Sequence, residues 1–206
     1  MKAAYIGRLQ TVHKGHLSVI KYIAAAPDVD RLVIMVGSSQ YDRHNKSIEA
    51  PLVCNPFTYA EREGTIRAAL DGEVDKPLDV VAIQDQHDHQ RWANYVLLKL
   101  GKGGVIYTNS RSERAVFDPL GVECRTFPVR DQYHAQIIRE MMANGDDWQS
   151  MVPDGAAKYI TEQGLDKIVR RLHAEHPDEI TRIHERDKAR GVLTYDEAIT
   201  QLRGTP

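Results

Sequence analysis

Apolar runs that each end in a small polar loop constrain this chain more than any other feature. Ala3 to Ile6 stops at Gly7-Arg8. Arg31-Leu32-Val33-Ile34-Met35-Val36 stops at Gly37-Ser38-Ser39-Gln40, and Leu78 to Ile83 stops at Gln84-Asp85. Continuous apolar runs of this length belong to strands buried on both faces. Helical periodicity fills the gaps. Leu17, Ile20, Ile23 and Ala24 mark a helix from about Gly15 to Ala25, and Thr58 with Glu61 is spaced as a capping box opening a helix to Leu70. Trp92, Tyr95, Val96, Leu98 and Leu100 mark a third helix, closed by Gly101; a short one runs to Phe117. Gly104 to Tyr107 and Val122 to Phe127 read as further strands, and Gln136 to Asn144 as a helix stopped by Gly145. Five strands alternating with helices predict an α/β fold, a doubly wound and mainly parallel sheet.

In such sheets ligands bind beyond the carboxyl ends of the strands, so the polar loops are the candidate site. The first is the richest: Gly7-Arg8-Leu9-Gln10-Thr11-Val12-His13-Lys14-Gly15-His16. It places His13 and His16 on one side of a first helical turn, where both could donate to an anion at the positive helix end. A histidine pair at a helix start also serves as a simple solvated cap, so this loop alone supports only an anion site. Residues 41–55, with Arg43, His44 and Lys46, read as a long mobile loop over the same rim. His87-Asp88-His89 lacks a partner cluster and does not read as a metal centre.

Composition excludes several classes. With 27 basic against 29 acidic residues the net charge is -2, which argues against a general basic surface for nucleic acid. No apolar run approaches a membrane span, and no signal-peptide pattern precedes the first strand. Cys54 and Cys124 form no close-spaced pair, so a reduced, cytoplasmic protein is expected. After Ile160 the chain becomes helical and rich in charge of both signs, with breaks at Gly164, Pro177 and Gly191 and another T-x-x-E start at Thr194. Residues 1–160 are therefore expected as the sheet domain and 161–206 as a helical extension, in which no site chemistry is visible.

Taken in order, these loops resemble the nucleotidyltransferase superfamily with H-x-G-H, and within it the archaeal-type nicotinamide-nucleotide adenylyltransferases. The resemblance covers roughly residues 3 to 160. It rests on the 7–16 stretch, Gly37-Ser38-Ser39-Gln40, Asn55-Pro56-Phe57-Thr58-Tyr59-Ala60-Glu61-Arg62, Gln84-Asp85 with Trp92, Ile138-Arg139 and the stretch from Gly145 to Pro153. It implies a Rossmann-like fold and a reaction between ATP and nicotinamide mononucleotide that yields NAD and pyrophosphate, with Mg²⁺ held mainly by the substrate phosphates. The nicotinate form of the mononucleotide stays open. Other implications are a homo-oligomer and no nucleic-acid or membrane partner. His13, His16 and Arg139 would be catalytic donors, and Gly7, Arg8, Gln10, Gly15 and Ser39 would join them around ATP. Asp85, Trp92, Asn55 and Phe57 would hold the mononucleotide; on its own, Trp92 also reads as a core tryptophan.

The departures from the family pattern are local. His134-Ala135-Gln136 stands where a Ser-x-Thr element is usual, Cys54 where a basic residue precedes Asn-Pro-Phe, His89 where an asparagine is expected, and Thr11 where a proline is. Arg43 or Lys46 would then have to supply the missing cation. No Nudix motif follows the matching stretch, so the fused pyrophosphatase of some relatives is not expected. Two other readings remain at this stage: a superfamily enzyme with a different nucleotide or acceptor, and a non-catalytic sensor that binds NAD or ATP.

Overall fold

The computed structural model describes residues 1–46, 51–128 and 133–204, the side chains as far as residue 201. Its sheet has five parallel strands: β1 (Lys2–Gly7), β2 (Arg31–Val36), β3 (Leu78–Ala82), β4 (Val105–Tyr107) and β5 (Cys124–Arg125). The order is β3-β2-β1-β4-β5. The chain winds outward from β1 through β3, then returns to lay β4 on the other side of β1. That reversal makes the crevice beyond β1 and β4 the switch point where a ligand fits.

Alternation along the strands decides which helices lie on which face. Leu32, Ile34 and Val36 enter a core shared with α1 (Lys14–Ala24), α2 (Tyr59–Leu70), α5 (Ala135–Asn144) and α6 (Asp154–Glu162). Val33 and Met35 point the other way, onto α3 (His89–Leu100) and α4 (Arg111–Phe117). The expected α/β, Rossmann-like doubly wound sheet is present. α7 (Leu165–Glu175), α8 (Pro177–Ala189) and α9 (Tyr195–Gly204) follow. Leu165, Val169 and Ala198 belong to the same buried cluster as Ile34 and Ile20, so α7 and α9 pack into the sheet's own core, while Ile183 of α8 joins a smaller cluster with Val53 and Cys54.

Two elements differ from the sequence-based expectation. The fifth strand shrinks from Val122–Phe127 to Cys124–Arg125. Beyond it the backbone of Phe127 leaves the ladder and pairs with the Asn109 side chain, which donates to the Phe127 carbonyl at 2.8 Å and accepts from its N–H at 3.1 Å. α6 is the second difference, a helix the sequence pattern does not announce. In the expected mobile loop, residues 47–50 lie outside the described residues. Around them Asp42 accepts from the N–H groups of His44 and Asn45, and Leu52–Cys54 forms a 3-10 turn.

The Asn109 pairing recurs at two other strand ends. Gln10, after β1, donates to the Phe57 carbonyl at 3.1 Å and accepts from the Phe57 N–H at 2.9 Å. Gln40, after β2, does the same with Asp85, at 3.1 and 3.0 Å. A side-chain amide thus ties each of these loops to a neighbouring one.

Candidate active site

The histidine pair is built by a reciprocal cap. His13 is the N-cap of α1; its Nδ1 accepts from the His16 N–H at 3.2 Å, while His16 Nδ1 accepts from the His13 N–H at 3.3 Å. The rings stack at 3.6 Å between centroids, with Tyr133 stacked on the far side of His13 at 6.0 Å. Gly15 is required by this packing: a Cβ there would lie 2.9 Å from His13 Nδ1 and 3.1 Å from Tyr133 Cβ.

The cap also fixes the protons. A ring nitrogen that accepts an N–H carries no proton, so each neutral imidazole must bear its hydrogen on Nε2. Burial holds His13 down to about 2, with His16 and His134 adding to the depression, and burial holds His16 down to about 4. Both rings are therefore neutral Nε2–H donors at physiological pH.

His173, on α7, is likewise pushed to about 4, first by burial and then by Arg139 and His184. All three values lie below the usual 6.5, so the unfolded chain binds more protons than the folded one between 6.5 and about 4. Their stabilising contribution is complete above 6.5 and is lost as the pH falls through that window. Urea unfolding should show a stability that declines below about pH 6.5, by at most about 1.4 kcal/mol per pH unit for each fully buried histidine and less for partly exposed His173. A stability that stays flat from pH 7 to pH 5 would contradict the neutral pair.

Two clefts open on the strand ends, and Arg8 lines both. Among the described residues the exposed Arg8 guanidinium makes no hydrogen bond or ion pair. The first cleft, about 470 Å³, includes Gly7, Gly37, Ser38, Asp85, His89 and Trp92. The second, about 380 Å³, includes Gln10, His13, His16, Gln136 and Arg139, and among the described residues none that lines it is acidic. Gly15 lies between the two histidines at the first turn of α1.

The structure brings most, not all, of the sequence-derived residues to these clefts. Trp92 serves both readings: it lines the first cleft, and its ring lies 5.5 Å from that of Phe117. Gln10 lines the second cleft, but its amide is taken up by Phe57. Arg139 is buried, donating through Nε to the Val53 carbonyl at 3.0 Å and through Nη1 to the Gln10 carbonyl. Ser39, Asn55 and Phe57 line neither cleft; the Phe57 ring is in the main core. Arg43 stays on Glu61, with Nη2 to Oε1 at 2.7 Å, and on the Pro56 carbonyl at 2.9 Å. Among the described residues Lys46 lines neither cleft.

Sequence reasoning assigned no role to three residues here. Tyr133 completes the ring stack. Arg62, on α2 and almost wholly buried, donates to the carbonyls of Arg8 at 3.1 Å and Ser38 at 3.2 Å, and at longer range to Gly37 and Ser39. It gathers the loops after β1 and β2 around one cation, and burial lowers its pKa to about 10. The third, Arg186 on α8, lines the second cleft. Of the three only Arg62 lies within a stretch that carries the family resemblance; Tyr133 and Arg186 had no sequence signal.

Comparison with known proteins places the chain in a family. No family model matches the chain. A nicotinamide-nucleotide adenylyltransferase of Halobacterium salinarum is 36% identical over 176 residues, 84% of this chain and 92% of the relative. One from Thermoplasma acidophilum is 33% identical over 170 residues, 81% and 89% respectively. Among solved structures, a bifunctional NMN adenylyltransferase/ADP ribose pyrophosphatase of Francisella tularensis, complexed with AMP and a manganese ion, superimposes with a TM-score of 0.67 at 19% identity. The match covers 92% of this chain and 56% of that one, and it supports the fold. A nicotinic acid mononucleotide adenylyltransferase of Plasmodium falciparum matches with a TM-score of 0.53 at 9% identity, over 81% of this chain and 97% of the other. With archaeal relatives above 30% identity along most of its length and the same fold beneath them, this chain belongs to the nicotinamide-nucleotide adenylyltransferases, a family of nucleotidyltransferases.

Proposed function

We propose that this chain joins ATP to nicotinamide mononucleotide. A phosphate oxygen of the mononucleotide attacks the ATP α-phosphorus in line; the new P–O bond forms as the bond to the β-phosphate bridge breaks, and NAD and pyrophosphate leave. The observation that carries this reading is the pair of clefts sharing Arg8, one lined by two neutral imidazole donors and, among the described residues, by no acid, the other lined by Trp92 and Asp85. Such a transfer needs positioning and electrostatic stabilisation more than covalent help. His13 and His16 supply Nε2–H donors to the charge that grows on the transferred phosphate. Arg8 supplies the cation between the two anions, and Arg139 braces the first loop against Val53.

A divalent ion, Mg²⁺ in our reading, would be carried by the substrate phosphates and would supply charge screening there. Among the described residues no group of three or more His, Cys, Asp or Glu is placed to hold it, and the second cleft offers it no carboxylate. In this reading Trp92 and Asp85, which line the first cleft, receive the pyridine end of the mononucleotide. A cytoplasmic homo-oligomer, with residues 161–206 as a compositional extension of the sheet domain, belongs to the same proposal. Among the described residues no helix is long and apolar enough to cross a membrane.

The direct test is pyrophosphate release coupled to NAD detection, with ATP or CTP against nicotinamide and nicotinate mononucleotides and other phosphorylated acceptors. Turnover only with a different pair would replace this reading, and ATP binding without turnover at any metal concentration would favour a sensor. Replacing Trp92 with Ala should raise KM for the mononucleotide by about tenfold, the worth of one stacked ring contact, with KM for ATP nearly unchanged. Equal changes in both constants would assign Trp92 to the Phe117 core instead.

A further inference from the structure

The helical extension reaches the second cleft. Arg186 on α8, with Val192 and Leu193 in the connection to α9, lines it together with His13, His16 and Arg139. Resting on the reading above, we propose that Arg186 is a phosphate ligand of the nucleoside triphosphate, so that the extension forms part of the nucleotide site.

Three observations support this. The position of α8 beside the cleft is fixed: Ile183 is buried with Val53 and Cys54, and His184 Nε2 lies 3.0 Å from Glu140 Oε2, next in sequence to Arg139. Arg186 itself is held by the neighbouring buried Asp187, with Nε and Nη2 both 2.8 Å from Oδ1. The fork is thus oriented at one edge, and its side chain remains 40% exposed. Finally, among the described residues the cleft wall has cations from Arg8, Arg139 and Arg186 and no acidic side chain, a balance suited to a polyanion. Arg139 spends two of its nitrogens on backbone carbonyls and Arg186 spends Nε and Nη2 on Asp187, which leaves the Arg186 Nη1 edge and Arg8 to meet phosphate.

Calorimetric titration of ATP into the full chain tests this without requiring turnover, so it stands apart from the NAD assay. Arg186→Gln should weaken ATP binding by about tenfold, the effect of one charge-assisted hydrogen bond. Nicotinamide mononucleotide should bind as before, and the melting temperature should stay within a degree or two. Arg186→Lys should recover part of the loss. Arg190→Gln, on an exposed residue just past α8 that lines neither cleft, should change nothing. The proposal is overturned if folded Arg186→Gln binds ATP within twofold of the parent, or if Arg190→Gln weakens it equally, since the effect would then be general surface charge. Loss of NAD formation in the parent with this binding pattern intact would sink the proposed reaction and leave the Arg186 assignment standing.

Discussion

Replacing His16 with Ala should slow NAD formation by at least about a hundred-fold while the chain remains folded. The expectation follows from separating the two nitrogens of the ring. Nδ1 serves the fold, accepting from the His13 N–H at 3.3 Å, a long contact whose loss costs about 1 kcal/mol, as for other N-terminal caps. Nε2 is, in the proposed reaction, the donor to the transferred phosphate. A donor aimed at developing phosphate charge is worth about 3 kcal/mol, and water admitted in its place is not pre-oriented. His16→Asn gives a control, because its amide oxygen can take over the cap while no donor stands where Nε2 was. It should melt near the parent and turn over almost as slowly as the Ala variant. The NAD assay beside a melting curve decides: parental turnover in folded His16→Ala would leave the histidine a cap and nothing more.

The second large effect is on stability. Arg62→Met should cost about 2–3 kcal/mol of unfolding free energy and raise KM for both substrates, because the loops after β1 and β2 lose their common donor. The opposing term is real. Burying a guanidinium is costly, its Nε has no partner, and an apolar residue of similar volume can sometimes replace a buried charge without loss. That exchange is neutral only when the partners left behind are themselves removed or solvated. Here they are backbone carbonyls of Arg8 and Ser38, which no side-chain substitution deletes, and each unpaired one costs about 1–3 kcal/mol. Arg62→Lys should fall between parent and Met, since a point charge on a flexible stem cannot span both loops as a planar fork does. Urea unfolding with substrate kinetics checks this; a Met variant with parental stability and parental KM values would mean that water serves the carbonyls as well as Arg62 does.

Much of the fold was legible because its signals are local. β2 has the bounds that its apolar run suggested, and Thr58 with Glu61 forms the capping box that opens α2. α6 was not legible for a physical reason. It packs on α2 through glycines, where a Cβ on Gly155 would lie 2.0 Å from the Ala68 carbonyl oxygen and one on Gly64 would lie 2.1 Å from Tyr159 Oη. Ala156 and Ile160 do give the helix a buried face, but glycine at the contact reads in sequence as a break and not as the start of a helix. The short β5 was over-extended because Val122 and Phe127 look strand-like, while the amide that ends the ladder comes from Asn109, distant in sequence.

The same division runs through the site. His13, Gly15 and His16 form one turn and show their relation by spacing alone. Arg62 and Arg186 act across long separations, on backbone carbonyls or on a cleft wall, and such targets carry no residue signature. Asn55 and Phe57 show the converse. Their motif is recognisable, but the Phe57 ring is spent in the core and its backbone on Gln10, outside both clefts.

The amides of Gln10, Gln40 and Asn109 have a consequence for how the rim ages and responds to solvent. A side-chain amide is neutral at every pH at which the protein folds, and salt does not screen a contact that has no net charge. The outline of the binding rim is therefore insulated from ionic strength, even though the ligands it would receive are polyanions whose binding is not. The weak point is chemical. Hydrolysis of any one of these amides to a carboxylate would remove the donor and set a negative oxygen against the carbonyl it now serves, turning a two-way tie into a repulsion. A rim stitched in this way holds its shape through changes of medium and loses it by slow covalent damage.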